Sequence, residues 1–219
     1  MTEITTRILG ITIESFFKRP ILYKDARCDE TAQKCVEAFS SYGLRPPQTA
    51  LRIGDLAFNY DLSFGLFNGN GSFKISSEKL EIHFQNVVSD RDFEVVSDCI
   101  AKLYEHVPLP EINSTAIIGN AQTTAPSIEA IQKYLQRNAN PSKEIVQAGT
   151  IAYISGKNWP AEIRLMVDRS LIFPEGLYLM WSTTFSGNKL SRDILKTLKE
   201  ACEEAAGKLD LTFPKTEPQ

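Results

Sequence analysis

Large apolar residues alternate with small or polar ones in "LAFNYDLSFGLF", the stretch from Leu56 to Phe67. A period of two is typical of a β-strand with one buried face. We therefore predict one strand from Leu51 to Phe67, with Tyr60 buried and Asp61 not. Similar patterns predict strands at "RILGITIES", "LEIHFQNV", "GTIAYI", "EIRLMV" and "LYLMWSTTF". The apolar side of each strand is expected to meet the helices.

Apolar residues spaced by three and four positions predict four helices. The first runs from about Asp29 to Tyr42, and the second begins after a cap at Ser89 or Asp90. The third is "TTAPSIEAIQKYLQRN", for which Thr124 is the predicted cap. The fourth and longest runs from about Ser191 to Lys208.

The order of elements repeats, because each half of the chain consists of a strand, a helix, a meander of three or four strands and a helix. We predict an α+β fold of pseudo-duplicated β-α-β(3-4)-α units that form one antiparallel sheet with about four helices on one face. The predicted halves are residues 1–110 and 111–213, packed as one globular unit, and 214–219 form a disordered tail. This order resembles the topology of the TATA-box-binding protein fold. None of that family's sequence motifs occurs, so the resemblance implies no function.

Composition and charge exclude several classes of protein. The chain has 219 residues, 42% apolar and 23% charged, and its net charge is −3. No apolar run approaches the roughly 18 residues of a membrane span, and "MTEITTRILG" lacks the pattern of a signal peptide. We therefore predict a cytoplasmic protein. The net negative charge provides no general attraction to phosphate, so we predict against nucleic acid and membrane as partners.

The sequence contains no catalytic signature that we can recognise. Gly-x-Ser-x-Gly, HExxH, phosphate-loop and dinucleotide patterns do not occur, and the four cysteines form no CxxC pair. Packed, reduced thiols are the preferred interpretation of the cysteines. We predict no cofactor and no metal, and the sequence favours a non-enzymatic protein without deciding the question.

The strand faces opposite the helices carry a mixed set of polar side chains. Three interpretations are open for this surface: a solvated face, a binding face for another protein or a second copy of the chain, or a chemical site. Trp159 lies at a predicted hairpin tip, "GKNWPAE", and adds a large aromatic that binding surfaces favour. The candidate binding residues are Asp61, Glu81, His83, Trp159, Arg164, Asp168 and Tyr178.

The leading hypothesis from the sequence is a non-enzymatic protein-binding subunit, adaptor or inhibitor of a cytoplasmic complex, which uses the open sheet face and the loop tips. The alternative is a small-molecule or metal-dependent enzyme that uses an Asp/Glu/His cluster on the sheet face, since such donors suit zinc, manganese or iron. A third option, nucleic-acid binding through the sheet face, requires a basic surface, and only Arg164 and Arg169 stand out there.

Overall fold

A computed structural model describes residues 2–21, 27–44, 49–53, 60–138, 149–155, 161–187 and 194–213. The helices of this part are α1 (Cys28–Phe39), α2 (Asp90–His106), α3 (Ile128–Asn138) and α4 (Ile194–Gly207), with 3-10 turns at Ser40–Tyr42 and Phe67–Gly69. The strands are β1 (Thr2–Glu3), β2 (Thr5–Phe17), β3 (Thr49–Ile53), β4 (Tyr60–Leu66), β5 (Gly71–Ser76), β6 (Lys79–Phe84), β7 (Ile112–Thr124), β8 (Thr150–Ser155), β9 (Glu162–Arg169), β10 (Leu177–Ser186) and β11 (Leu211–Thr212).

Nine strands form one sheet in the order β3-β4-β5-β6-β2-β7-β10-β9-β8. The pairs β3–β4, β4–β5, β5–β6, β6–β2, β10–β9 and β9–β8 are all antiparallel. The predicted α+β class with a large antiparallel sheet is therefore confirmed. The internal duplication stays a prediction.

The chain divides into two compact units. The first unit comprises residues 1–10, 118–183 and 196–219, and the second comprises 11–117 and 184–195. The proposed halves 1–110 and 111–213 stay a prediction, and residues 214–219 lie outside the described residues. Among the described helices, none is both long and apolar enough to cross a membrane.

Strand β4 confirms the predicted assignment of faces. Tyr60 is 2% exposed, whereas Asp61 is half-buried on the opposite side of the strand. The predicted single strand from Leu51 to Phe67 is wrong, because β3 and β4 are separate strands that pair with each other. Arg52 lies opposite Asp61 in that pairing, so the chain reverses direction between the two strands. Residues 54–59 lie outside the described residues.

The core of the second unit contains packed aromatic rings and one cluster of buried, hydrogen-bonded hydroxyl groups. Phe64 stacks on Phe73 with ring centroids 4.6 Å apart, and α1 contributes Phe39 at 5.2 Å from Phe73. The hydroxyl of Ser15, which is fully buried, lies 3.1 Å from that of Tyr104 and 3.2 Å from that of Thr115. These hydroxyls satisfy each other, as buried polar groups must.

All four cysteines are buried and free, as the sequence predicts. Burial raises the pKa of Cys35 and of Cys99 to about 12. It also raises the pKa values of Cys28 and Cys202. Because the thiolate is the reactive form, these thiols act as small apolar groups and not as nucleophiles.

Two helix starts test the predicted caps. Ser89 caps α2 as predicted, in a reciprocal arrangement in which its side chain accepts from the Asp92 N–H and Asp92 accepts from the Ser89 N–H at 2.8 Å. Thr124 does not cap α3, because it is the last residue of β7 and its hydroxyl accepts from Nε of Arg7 at 2.9 Å. Ser127 takes the role instead and accepts from the Ala130 N–H.

Replacing Ser89 with alanine is expected to lower the free energy of unfolding by about 1 kcal/mol, because the Asp92 N–H loses its acceptor and the Asp92 carboxylate loses the hydrogen bond from the Ser89 hydroxyl. Burial raises the pKa of Asp92, but hydrogen bonds from Ser89 and Val88 outweigh it and hold the pKa below its ordinary value of 3.8. A lowered carboxyl pKa stabilises the fold at pH values above the ordinary pKa. That contribution to the free energy of unfolding is lost as the pH falls through the folded-state pKa.

Urea denaturation of wild type and Ser89→Ala at neutral pH and at acidic pH measures this effect. We expect the difference between the two proteins to shrink at acidic pH. Ser72→Ala, at an exposed position of β5, is the matched control and is expected to change stability little. A Ser89→Ala loss no larger than that of the control would contradict the assigned cap.

The first unit contains an unusually close approach of backbone to an indole ring. Gly119 on β7 is buried, and a Cβ built there would lie 2.0 Å from two indole atoms of Trp181 on β10. Trp181 itself is buried, as predicted from its alternation with Leu177 and Leu179. Only glycine leaves room for the ring at this position.

Strands β1 and β11 form a separate two-stranded parallel sheet. Thr2 lies beside Leu211 and Glu3 beside Thr212, and the Ile4 N–H donates to the Thr212 carbonyl at 2.8 Å. This pairing fastens the two ends of the described chain to each other within the first unit.

Candidate functional site

Three carboxylates on the open sheet face of the second unit, those of Glu14, Asp61 and Glu81, form ion pairs with lysines. Asp61 lies 3.1 Å from Nζ of Lys74, and Glu81 lies 2.9 Å from Nζ of Lys79. Lys79 also pairs with Glu14 on β2. Burial lowers the pKa of Lys79, but its bonds to Glu14 and Glu81 outweigh this and raise the pKa overall. Asp61–Lys74 and Glu14–Lys79 are ion pairs between neighbouring strands, whereas Lys79 and Glu81 pair along β6, so these charges are satisfied by one another.

His83 is likewise held by polar neighbours on both ring nitrogens. Its Nδ1 lies 3.0 Å from the hydroxyl of Thr12, and its Nε2 lies 3.1 Å from Nε2 of Gln85. In the described ranges, no group of three or more His, Cys, Asp or Glu side chains stands close enough to hold one metal ion. Asp168 belongs to the first unit, whereas Asp61, Glu81 and His83 belong to the second. The Asp/Glu/His cluster of the alternative hypothesis is therefore not assembled by the described residues.

A cavity of about 350 Å³ lies in the second unit between α1, β4, β5 and the segment after α2. Arg27, Lys34 and Tyr60 are among the residues that line it. Arg27 and Lys34 both pair with Glu30, at 3.5 and 2.7 Å. Because these charges are satisfied within and beside α1, they do not indicate a charged ligand.

The open sheet face of the first unit has a different character. Directly paired residues of antiparallel strands point to the same side, so the register of β8, β9 and β10 aligns their outward side chains in rows. The rows are Tyr153–Arg164–Ser182, Ile151–Met166–Met180 and Asp168–Tyr178. We call this set the aromatic–arginine face. The intervening residues Ile163, Leu165, Val167, Leu179 and Trp181 are buried on the other side.

Two large side chains of β8 are exposed on this face. Tyr153 is 63% exposed and Ile151 is 52% exposed. We expected the apolar side of each strand to meet the helices, and β8 departs from that rule because its register with β9 places Ile151 and Tyr153 opposite Met166 and Arg164 on the outward face. The sequence prediction missed Tyr153 for this reason. The signal available in "TIAYIS" was the alternation of Ile151 and Tyr153, whose direction only the register with β9 decides.

Arg164 lies at the centre of the aromatic–arginine face, between Tyr153 and Ser182. Its Nε is buried and has no hydrogen-bond partner among the described residues. Its guanidinium forms no ion pair within the described part of the chain. A buried N–H of a charged group without an acceptor is costly, so the Arg164 side chain is less fully satisfied by the described residues than the paired lysines of the second unit.

A short hydrogen bond fixes the orientation of the Tyr178 ring. Its hydroxyl donates to Oδ1 of Asn120 on β7 at 2.6 Å. Burial raises the pKa of Tyr178, which keeps the phenol protonated and able to donate. The ring is therefore fixed beside Asp168, whose Oδ1 accepts from the Arg169 N–H at 2.7 Å.

The predicted site residues thus fall into three sets. Arg164, Asp168 and Tyr178 lie together on the aromatic–arginine face of the first unit. Asp61, Glu81 and His83 lie on the open face of the second unit and are engaged by neighbouring side chains. Trp159 lies outside the described residues, and its proposed role stays a prediction.

Comparison with known proteins gives little direct guidance. No protein-family model and no curated protein matches the chain. One matching solved structure is entitled "Structure of Rolling Circle Replication Initiator Protein from Geobacillus stearothermophilus". It shares 8% sequence identity with this chain at a TM-score of 0.35, over 94% of this chain and 84% of that one. A likeness of that size transfers neither a fold nor a residue role.

This finding contradicts the predicted adaptor or complex subunit, because the matching structure is named as a replication initiator. The predicted partners, another protein or a second copy of the chain, are wrong on the same finding, and so is the prediction against nucleic acid. The prediction against nucleic acid rested on the net charge of −3. Net charge counts groups without regard to pairing, whereas Asp61, Glu14 and Glu81 are each paired with a lysine.

Proposed function

We propose that the protein binds single-stranded nucleic acid, with bases stacked on the aromatic–arginine face. The observation that carries the proposal is the pairing of Arg164, whose guanidinium forms no ion pair among the described residues, with Tyr153, whose ring is 63% exposed. Arginine presents a planar, permanently charged group that donates to phosphate oxygens and to base edges and also stacks on flat rings. A nucleotide offers all of these partners at once.

The exposed ring of Tyr153 is suited to base stacking. Its neighbours Arg164 and Ile151 add a guanidinium plane and apolar area on the same side of the sheet. Stacking tolerates every base because each has a π-face, so we expect binding with weak sequence preference. Ser182 adds a hydroxyl in the row of Tyr153 and Arg164.

The electrostatic contribution to binding is expected to be small. Among the described residues, Arg164 is the cation on the face and forms no ion pair there, whereas Arg169 pairs with the buried Leu177 and lies on the opposite side of β9. One phosphate contact gives a slope of log affinity against log salt concentration of about −0.7 for a single strand. Most of the binding free energy then comes from stacking and hydrogen bonds.

We expect this binding to take place in the cytoplasm, the compartment that the sequence predicts. Four buried free thiols suit a reducing compartment, in which disulfides are rare. Single-stranded DNA and RNA are both present in such a compartment, and the face as described contains no group that selects between them.

Fluorescence anisotropy with labelled single-stranded DNA and RNA oligonucleotides tests the proposal. Tyr153→Ala is expected to weaken binding by roughly 5- to 100-fold, since loss of one stacked base costs about 1–3 kcal/mol. Arg164→Gln is expected to weaken it similarly, and Arg164→Lys to restore only part, because lysine keeps the charge but not the planar fork.

Arg91→Gln provides the matched control, since it removes one exposed positive charge from the first turn of α2 and leaves the sheet face intact. Thermal unfolding of each variant shows that the fold is retained. Absence of binding by the wild-type protein, or an equal loss in Arg91→Gln and Arg164→Gln, would overturn the proposal.

A further inference from the structure

The chain contains three methionines, and two of them, Met166 and Met180, are direct partners in the register of β9 and β10. The third, Met1, lies outside the described residues. Together with Ile151 the pair forms the middle row of the aromatic–arginine face, between the other two rows. Both methionines of the described chain therefore lie side by side within the proposed binding surface.

Both thioether side chains are on the open side of the sheet. Met166 and Met180 are half-buried, and Ile151 in the same row is 52% exposed. Part of each methionine is thus in contact with solvent. A small oxidant dissolved in water reaches the pair from the open side, without unfolding of the strands.

The cysteine sulfurs are much less accessible than the methionine pair. All four cysteine side chains are free and at most 8% exposed, and burial raises the pKa of each thiol. Oxidants attack the thiolate, a form that these buried thiols disfavour. Within the described residues, Met166 and Met180 are therefore the sulfur atoms most open to oxidation.

We propose that Met166 and Met180 are a modification site, at which hydrogen peroxide oxidises the thioethers to sulfoxides and thereby weakens the binding of single-stranded nucleic acid. In each reaction a sulfur lone pair attacks one peroxide oxygen, so an S–O bond forms and the O–O bond breaks. The sulfur is oxidised by two electrons and the peroxide is reduced. The departing hydroxide takes the proton of the transferred hydroxyl and leaves as water. The inference rests on the proposed single-strand binding at this face.

A sulfoxide changes this face in two ways. It converts a flexible apolar side chain into a polar one, so the middle row loses apolar and sulfur–aromatic contact with a base. It also adds an acceptor oxygen to Met166, which lies two residues along β9 from Arg164 and on the same side of the strand. Because the Arg164 guanidinium forms no ion pair among the described residues, this oxygen competes with phosphate for its N–H groups.

Peptide mass spectrometry of the full chain after peroxide treatment locates the modification independently of binding. We expect one added oxygen on Met166 and one on Met180, and none on the four buried cysteines. In fluorescence anisotropy, the oxidised protein is expected to bind single strands roughly tenfold more weakly than the untreated protein. Treatment with methionine sulfoxide reductases is expected to restore the affinity.

Met166→Leu/Met180→Leu is the matched variant, because leucine keeps nearly the same side-chain volume and has no sulfur to oxidise. Whatever its starting affinity, this variant is expected to bind equally before and after peroxide. It retains Met1 and all four cysteines, so it also reports on oxidation elsewhere in the chain. Thermal unfolding before and after treatment shows whether the fold is kept.

The outcomes separate the two proposals. No binding to single strands by the untreated wild type refutes the proposed function and with it the effect of oxidation on binding. Single-strand binding with an unmodified methionine pair, or with an affinity that oxidation leaves unchanged or raises, overturns only the inference. An equal loss on peroxide treatment in the leucine variant also overturns it. The reversal by reductases uses wild-type protein alone, so the test holds even if the variant does not fold.

Discussion

Replacing Gly119 with alanine is expected to lower the free energy of unfolding by about 3 kcal/mol, at the upper end of the usual cost of overpacking. The added methyl group would lie 2.0 Å from two atoms of the Trp181 indole, well inside van der Waals contact. Trp181 is buried, and so are Leu179 and Thr183 on the same side of β10. The ring therefore has little room to move aside, and the strand itself would have to shift.

Urea denaturation measures this loss, and Gly207→Ala is the matched control. A Cβ at Gly207, the last residue of α4, would meet nothing within 4 Å. That variant is expected to be neutral or slightly stabilising, because alanine reduces the freedom of the unfolded chain. Combining Gly119→Ala with Trp181→Phe should recover part of the loss, since a smaller ring leaves space for the methyl group. Equal stabilities of Gly119→Ala and Gly207→Ala would contradict the described packing.

The double variant Tyr153→Ala/Arg164→Gln is expected to weaken binding to single strands by roughly a hundredfold or more, from about 1–3 kcal/mol for each removed contact. Tyr153 and Arg164 are direct partners in the register of β8 and β9. If one base contacts both side chains, the combined loss falls short of the product of the two single losses.

Anisotropy titrations at several salt concentrations give both the affinity and the salt slope. Removal of Arg164 is expected to change the slope from about −0.7 to near zero. The pair Ile53→Ala/Arg91→Gln removes one exposed apolar group and one exposed charge from other elements, and it should leave affinity and slope unchanged. A double variant that binds like this control would refute the aromatic–arginine face as the site.

The sequence pattern predicted local structure well wherever a single periodicity decided it. Alternation placed Tyr60 inside and Asp61 outside, and the predicted cap at Ser89 or Asp90 located the start of α2. It failed between Leu51 and Phe67, because we joined the alternating stretch that begins at Leu56 to the residues before it, although β3 and β4 are separate strands. Thr124 was a reasonable cap by residue type, but β7 extends through it and leaves Ser127 for α3.

The candidate site depended on information that sequence patterns do not contain. Lys79 pairs with Glu14, 65 positions away, and only the register of β2 with β6 brings the two together. Tyr153 points outward because it pairs with Arg164 in the register of β8 and β9, and that register is not visible in the sequence. Arg164 was found from the sequence, but the lack of an acceptor for its Nε is a property of the packed structure.

The pairing of β1 with β11 joins segments that lie 210 positions apart in sequence. The Ile4 N–H donates to the Thr212 carbonyl, so it can exchange with solvent only when the two segments separate. Hydrogen exchange at Ile4 therefore reports on the β1–β11 pairing from a single amide.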